Sequence, residues 1–379
     1  MRRLLPLLCG LLLAACGQRA ARPIGDFTLP VYTPRYASGF EITGAAGSRS
    51  TLVTVHNPWY GDEVTDQYLF IARDGEPAPA GFEGQVLRDE TRRVVCMSGS
   101  YIAMLDALGA ADRVVGVSGA QYLINETLRR RIARGEAADV GFDSNVDFER
   151  LMALRPDLVM LFGIGGADTA LTGKLRELGI PYLYMGEHCE ESPLGKSEWV
   201  VVAAEIAGLR TEGSRLFAAI PERYERLRAL AQQTAARPRV MLNTPYRDTW
   251  FMPARNSYMG RLLEDAGARY VFEENTATQT LPIDIEQAYY LTSKSDFWLN
   301  VSGCNTLDEV RRQNPRLADT PPVREGRVYD NNRRRNAAGG SDFWESGVLR
   351  PDRVLADLVH IFHPELSETD ELYYYRQLE

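Results

Sequence analysis

After its first fifteen residues the sequence has no apolar segment long enough to cross a bilayer, since a spanning helix needs about 20 apolar residues. It has no GxSxG, P-loop or HExxH motif, so common signatures of hydrolases and zinc peptidases are missing. The sequence has no CxxC pair and no Cys/His cluster, so it predicts no zinc site. The formal net charge of -8 argues against nucleic acid as a partner. These absences favour a body outside the membrane that is not an enzyme and holds no cofactor or metal.

The N-terminal residues are typical of an export signal. Arg2 and Arg3 precede an apolar run at residues 4–13, which is too short to span a bilayer. Residues 13–17, Leu-Ala-Ala-Cys-Gly, resemble the lipobox of bacterial lipoproteins, where cleavage precedes a cysteine that is then diacylated. We predict a signal peptide at residues 1–15, lipidation of Cys16, and an exported protein anchored to a bacterial membrane and facing the periplasm. The alternative is an ordinary signal peptide with an incidental cysteine, and inner or outer membrane is left open.

The next residues are predicted to connect this anchor to the folded body. Residues 16–50 are rich in Gly, Ala, Arg and Ser, which is typical of a tether, with one early strand at most. Strand-like runs within residues 51–90 predict a small β extension, from which Trp59 and Tyr60 could reach a cleft. Besides Cys16, which we predict to be acylated, three cysteines remain after cleavage, so at least one thiol is unpaired. Cys96 lies in an apolar run and is expected to be a buried hydrophobic residue.

The rest of the chain alternates short apolar runs with amphipathic helical patterns. Strands are predicted at 93–97, 113–117, 157–162 and 182–185, with helices at 100–108, 124–133, 147–154 and 169–178. The alternation returns with strands at 240–242, 296–301 and 328–329 and helices at 259–266, 285–291 and 351–362. Such alternation predicts mostly parallel sheets covered on both faces. The fold class is therefore α/β, with two Rossmann-like lobes.

A helical region separates the two alternating segments. Residues 196–237 have almost no strand signal, and the glycines at 208 and 213 divide them into two helices. The second helix, at 211–236, would be about 37 Å long, with a kink expected at Pro221. It is a candidate strut between an N-terminal lobe at 51–195 and a C-terminal lobe at 238–379.

One short passage occurs in both lobes. Residues 146–149, Val-Asp-Phe-Glu, and residues 283–286, Ile-Asp-Ile-Glu, each precede a predicted helix and a buried strand. Chance is an alternative for so short a match, but it fits two lobes built on one plan. That geometry leaves a cleft at the carboxyl ends of the strands, where open α/β sheets bind ligands.

From about residue 90 to its end, the chain resembles the periplasmic binding proteins for ferric siderophores, haem and vitamin B12. The resemblance rests on the strand at 94–97 followed by Ser98, on Pro-Asp-Leu-Val at 156–159, and on the long central helix. Four more passages resemble a subgroup: SPLGKSEW at 192–199, RNSY at 255–258, DFWESG at 342–347 and HPE at 363–365. The resemblance implies a class III fold, in which a stiff helix joins the lobes and closure is small.

The resemblance also implies a function and partners. The protein would be a lipid-anchored monomer that passes an iron-siderophore, haem or cobalamin-type chelate to an ABC permease and its ATPase. In that family an exposed acid on each lobe engages permease arginines, and the matching positions are Glu149 and Glu286. Alternatively, each acid only stabilises the first turn of its helix through the helix dipole.

Candidate ligand contacts follow the predicted strands. Backbone N–H groups where Ser98 opens a helix could hold an anion, and aromatic residues could wall a planar ligand. His188 is the histidine expected in the cleft, where a hydrogen-bonding role is favoured and axial ligation of haem iron or cobalt is the alternative. Arginines of the basic loop at 331–336 could bind carboxylates, although such a run is usually a solvated surface. The candidates are Ser98, Gly99, Tyr101, His188, Tyr246, Trp250, Arg255, Tyr258, Arg333 and Arg335.

Two other functions remain open at this point. An enzyme on a two-lobed α/β scaffold would need a catalytic group in the cleft and would show turnover. A ligand-sensing lipoprotein would bind the same ligand but contact a signalling partner, and a neighbouring permease gene would argue against it.

Overall fold

The computed structural model describes residues 21–60, 65–163, 166, 169–247, 249–276, 280–367 and 371–379. The predicted signal peptide and Cys16 lie outside these residues. Three five-stranded sheets form the body, one before the family-like region and one in each lobe. The predicted α/β class, with two Rossmann-like lobes joined by a long helix, is confirmed.

The N-terminal sheet begins well inside the segment that was predicted to be a tether. It is antiparallel from its first to its fourth strand, and the fifth strand joins in parallel. Phe40 and Ile42 are buried while Glu41 between them is exposed, a strand alternation that the Gly- and Ser-rich surroundings obscure. The strands are β1 (Leu29–Tyr32), β2 (Phe40–Gly44), β3 (Thr51–His56), β4 (Asp66–Ala72) and β5 (Gln85–Arg88).

This extension is buried on both faces. Val53 and Val55 pack into the main core, whereas Leu52 joins a separate small core with Phe27 and Phe70. The contacts of the extension include Arg22, whose guanidinium pairs with the buried Glu76 (Nε–Oε1 2.9 Å). The extension is therefore a packed layer of the protein.

The N-terminal lobe is a parallel sheet in the order β10-β9-β6-β7-β8. Its helices start at polar caps, since Ser98, Asn125, Asp147 and Thr169 each accept a hydrogen bond from a first-turn N–H. The strands are β6 (Val94–Cys96), β7 (Val114–Val117), β8 (Ala138–Asp139), β9 (Leu158–Phe162) and β10 (Tyr182–Met185). The helices are α1 (Gly99–Ala107), α2 (Glu126–Ala133), α3 (Phe148–Ala153) and α4 (Ala170–Glu177).

Three helices lead from this lobe to the next: α5 (Pro193–Glu198), α6 (Val200–Ile206) and α7 (Arg210–Ala231). All residues of α6 are buried. A side chain at Gly213 would collide with Ala204, so the glycine allows α6 and α7 to pack closely. α7 ends five residues earlier than predicted, where Arg237 donates to the terminal carbonyls of Ala231 and Gln232.

The C-terminal lobe has the sheet order β13-β11-β15-β16-β17, parallel except for its last strand. The antiparallel edge strand β17 and a separate antiparallel pair, β12 with β14, were not predicted. The strands are β11 (Arg239–Leu242), β12 (Trp250–Met252), β13 (Arg269–Tyr270), β14 (Leu281–Ile283), β15 (Phe297–Leu299), β16 (Val328–Asp330) and β17 (Arg376–Gln377). The helices are α8 (Tyr258–Asp265), α9 (Ile285–Ser293), α10 (Leu307–Gln313), α11 (Pro321–Arg324), α12 (Asp342–Glu345) and α13 (Pro351–Phe362).

Two buried carboxylates fix the extension to the rest of the fold. They bind the connection between β1 and β2 at residues 35–39, which we call the strap. Glu198 has no exposed surface and accepts from the N–H groups of residues 35, 36 and 37 and from the hydroxyl of Tyr32, at 2.7 to 2.8 Å. Glu190 accepts from the N–H groups of Ser38 and Gly39 and from the indole of Trp199. Each buried charge is thereby balanced by several hydrogen-bond donors.

We expect Glu198→Ala to lower the free energy of unfolding by about 3 to 5 kcal/mol, because it leaves buried N–H groups without an acceptor. Urea denaturation followed by circular dichroism measures the change. Glu222→Ala, an exposed position on α7, is the control and should change stability by no more than about 0.5 kcal/mol. A loss below about 1 kcal/mol for Glu198→Ala would show that the strap is held by other contacts.

Candidate functional site

A cavity of about 1060 Å³ lies between the two lobes. On the N-terminal side it is lined by Ser98 after β6, by Phe162 at the end of β9 and by residues 187–191 after β10. On the opposite side it is lined by Phe251, Pro253, Ala254, residues 256–259, Thr280, Trp344 and Val348. The carboxyl ends of three parallel strands thus meet at the cavity, which is where this class of sheet binds ligands.

The polar floor of the cavity is built from Glu187 and Lys196. The Lys196 ammonium is largely buried and donates to the carbonyl oxygens of Glu187 (3.1 Å) and His188 (3.0 Å). It also lies 5.1 Å from the ring centroid of Tyr258, a cation–π distance. Glu187 Oε1 accepts from the Ser100 hydroxyl (2.9 Å), while its Oε2 has no hydrogen-bond partner among the described residues. The hydroxyl of Tyr258 is likewise buried without a partner in the described part of the chain.

Burial changes the ionisation of this floor. It raises the pKa of Glu187 to about 7, although the nearby Lys196 ammonium and the Ser100 hydroxyl favour the charged form. Burial also lowers the pKa of the Lys196 ammonium, and the carboxylate of Glu187 opposes that change. Near neutral pH the Glu187 carboxyl can therefore donate or accept a hydrogen bond.

His188 is held in place by its neighbours. Its Nε2 lies 2.7 Å from the carbonyl oxygen of Gly163, which assigns the proton to that nitrogen. Its ring packs at 4.3 Å from the ring of Phe162. Burial lowers the pKa of His188 to about 4, so the ring is neutral at pH 7. The ring thus acts as a packed, hydrogen-bonded part of the wall.

The upper walls of the cavity are aromatic. Tyr60 reaches it from the extension and donates from its hydroxyl to the carbonyl oxygen of His188 (2.7 Å). Trp344 and Phe251 face it from the C-terminal lobe, and 55% and 42% of their surfaces are exposed. Large exposed aromatic rings at a cavity edge offer contact area to a ligand.

Polar contacts join the lobes around the cavity. At its edge Glu191 accepts from the side-chain amide of Asn256 (2.8 Å). Glu345 in α12 accepts from the N–H groups of Ile124 (2.9 Å) and Asn125 (2.6 Å) across the lobe boundary. The Asn336 amide donates to two carbonyl oxygens of the N-terminal lobe.

Three predicted contacts line the cavity: Ser98, His188 and Tyr258. Gly99 lies behind them as the first residue of α1, where a Cβ would be 3.2 Å from the Glu345 Cγ. Tyr101 and Trp250 instead belong to the core. Tyr101 donates to the carbonyl of Leu161 (3.2 Å), and Trp250 donates to that of Leu242 (3.0 Å) and stacks on Trp298. Neither side chain is among the described residues that line the cavity, although the Tyr101 hydroxyl lies close to the Glu187 carboxyl.

The remaining predicted contacts are exposed and are not among the described residues that line the cavity. Tyr246 is 67% exposed beside Arg247, and Arg255 is exposed in a turn before α8. Arg333 pairs with Glu371 (3.2 Å), and Arg335 is exposed in the same loop. The basic loop at 331–336 packs through Asn336 on the N-terminal lobe, and the binding of carboxylates by its arginines stays a prediction.

Lys196 and Trp344 line the cavity but were not predicted as contacts, although both lie in the subgroup motifs. SPLGKSEW contains Lys196 of the floor and Glu198 of the strap contact, and DFWESG contains Trp344 and Glu345. The motifs were the available signal, but the side-chain directions depend on the packed lobes.

The two predicted docking acids occupy equivalent positions. Glu149 and Glu286 are exposed, each the second residue of its helix. The helices are capped by Asp147, which accepts from the N–H of Arg150 (2.9 Å), and by Asp284, which accepts from that of Gln287 (2.7 Å). The repeated passage therefore forms the same local structure in both lobes.

A second cavity of about 530 Å³ lies between the extension and α7. Its central carboxylate, Glu205, is bound in two places by the guanidinium of Arg210 and accepts from the Thr51 hydroxyl. These paired charges indicate a structural contact.

The chain belongs to the periplasmic binding protein family, since the model of that family matches residues 94–333. An uncharacterized lipoprotein of Methanocaldococcus jannaschii is 25% identical over 332 residues, which cover 82% of this chain and 77% of that protein. A periplasmic haem-binding protein of Pseudomonas aeruginosa has a similar structure, with a TM-score of 0.58, 19% identity and coverage of 76% of this chain and 98% of that one. One from Roseiflexus has a TM-score of 0.56, 20% identity and coverage of 72% and 98%. The extension lies before the matched region.

Some features are absent from the described residues. They contain no group of three or more His, Cys, Asp or Glu side chains that could hold a metal ion. None of the helices that the structure describes combines the length and apolar character needed to span a bilayer. Cys96, Cys189 and Cys304 carry free thiols.

We expect the ligand-free protein to lose stability as the pH rises through 7, in part because of Glu187. An unfolded glutamate has a pKa of about 4.3, and the folded pKa is about 7. The contribution of Glu187 is therefore complete below the unfolded pKa and is lost as the pH rises through the folded one. The free energy of unfolding, measured with urea, should fall between about pH 5 and 8 in the unmodified protein. In Glu187→Gln this fall should be about 2 kcal/mol smaller. Parallel profiles for both proteins would refute the assignment.

Proposed function

We propose that this protein is the substrate-binding protein of an ABC importer and carries a metal-bearing chelate in the cavity between its lobes. The observation that carries the proposal is this cavity, with aromatic walls and a buried polar floor, in a member of the periplasmic binding protein family. Its volume of about 1060 Å³ suits a large ligand. The names of the similar haem-binding proteins support a chelate as the ligand class.

We further propose that Cys16 carries the lipid anchor and that the body faces the periplasm as a monomer. The lipoprotein name of the Methanocaldococcus jannaschii relative supports an anchor. We also propose an N-terminal lobe at residues 51–195, interlobe helices at 196–237 and a C-terminal lobe at 238–379. The extension that was assigned to the start of the N-terminal lobe would then begin earlier, near residue 21.

Docking to the permease would use Glu149 and Glu286. Both carboxylates are exposed at the starts of equivalent helices, α3 and α9, so they could meet two equivalent partner surfaces. Asp147 and Asp284 cap the two helices, so the side chains of Glu149 and Glu286 are left available for a partner.

Ligand binding should quench the fluorescence of Trp344, because Trp344 lines the cavity, whereas Trp59 is not among the described lining residues and Trp199, Trp250 and Trp298 are buried. The protein without its first fifteen residues would be titrated with ferric siderophores, cobalamin and haemin. We expect saturation at one equivalent for at least one ligand. Trp344→Phe should lose most of the quenching yet still bind by calorimetry. If no ligand binds to folded protein, the proposed function is wrong.

Charge reversal at both docking positions, Glu149→Arg with Glu286→Arg, should abolish ligand uptake by cells or proteoliposomes that contain the cognate permease. The ligand Kd should stay within about twofold, since both residues lie outside the cavity lining. Glu222→Arg, an exposed charge reversal on α7, is the matched control. Normal uptake by the double variant would exclude the docking role.

A further inference from the structure

The charges around the cavity restrict the ligand. Among the described lining residues, Lys196 is the one basic side chain, against the three acids Glu187, Glu190 and Glu191. Resting on the proposed function, we infer that the ligand is a neutral or cationic chelate with hydroxamate or amide groups on its periphery. Chelates that carry several negative charges, such as tris-catecholates and carboxylate complexes, are disfavoured.

The one basic side chain is already engaged. Two N–H groups of Lys196 are used by the carbonyl oxygens of residues 187 and 188, and its charge faces the ring of Tyr258. An anionic ligand could reach only the third N–H group without displacing one of these contacts, and the ammonium is largely buried. The floor therefore offers little positive charge to an incoming anion.

The arginines near the cavity lie outside its described lining, including the exposed Arg255 in the turn between lining residues 254 and 256. Arg333 is paired with Glu371, Arg334 with Asp342, and both belong to the loop that packs on the N-terminal lobe. Arg261 near the cavity edge lies 3.8 Å from Glu191. An anionic chelate would meet carboxylates without a free guanidinium in the described lining, and like charges oppose binding.

The groups that remain for a ligand suit amides and hydroxamates. The lining contains the hydroxyls of Ser257 and Thr280, which can donate hydrogen bonds without charge, whereas the Ser98 hydroxyl is already bonded to the N–H and hydroxyl groups of Ser100. Glu187 Oε2 and the Tyr258 hydroxyl are buried and have no hydrogen-bond partner in the described structure. Buried polar atoms of this kind are normally satisfied, so a ligand N–H or hydroxyl group would complete them.

A matched pair of chelates tests the charge requirement. Ferrioxamine B is a cationic ferric trihydroxamate, and succinylation of its amine turns the same chelate into an anion. Calorimetry on the folded protein without its first fifteen residues, at pH 7.5, should show at least about tenfold weaker binding after succinylation. The difference should shrink at high ionic strength. Cyanocobalamin and a neutral trihydroxamate serve as uncharged probes, and a ferric tris-catecholate and haemin as anionic ones.

Variants of the lining acids test which carboxyl groups cause the preference for a cationic chelate. Glu187→Gln with Glu191→Gln should remove most of the preference for the cation, whereas Glu222→Gln on the surface of α7 should leave it unchanged. Circular dichroism would confirm that each variant is folded. Equal or tighter binding of anionic chelates, or an unchanged preference in the double variant, would overturn this inference while the proposed function stands. Failure of every probe to bind would overturn both.

Discussion

Two buried carboxylates, Glu190 and Glu198, hold the structure of the binding region together. Their acceptor oxygens bind successive N–H groups of the strap, so an extension outside the matched family region is fixed to the start of the interlobe helices. Lys196 of the cavity floor lies between them in sequence. One segment, residues 187–199, therefore determines both the floor of the cavity and the position of the extension that supplies Tyr60. A shift of this segment would disturb wall and floor at once.

The α/β architecture could be predicted because its strands are continuous apolar runs separated by well-capped helices. The paired passages at 146–149 and 283–286 were also informative, because an Asp cap followed by an acid forms the same helix start in both lobes. The extension was underestimated, since its first strands lie among Gly, Ser and Pro residues and are buried by contacts distant in sequence. Composition alone does not distinguish such strands from a tether.

The site was harder to predict than the fold. Position after a strand selected Ser98 and His188, which line the cavity, and their contact with a ligand stays a prediction. Such a position does not determine where a side chain points, and Tyr101 and Trp250 are buried in the core. The basic loop carried a strong local signal, yet its place is set by Asn336 and the opposite lobe. Lys196 carried almost no local signal, because one lysine in a helix is usually exposed.

If Cys16 carries lipid, as proposed, the pairing of Arg22 with Glu76 limits how far the body can move from the membrane. Only residues 17–21 then separate the acylated end from the first residue tied to the extension. Five residues reach at most about 17 Å. The body would then stay close to the bilayer while it diffuses along the membrane surface. Encounters with the transporter would become a two-dimensional search at raised effective concentration.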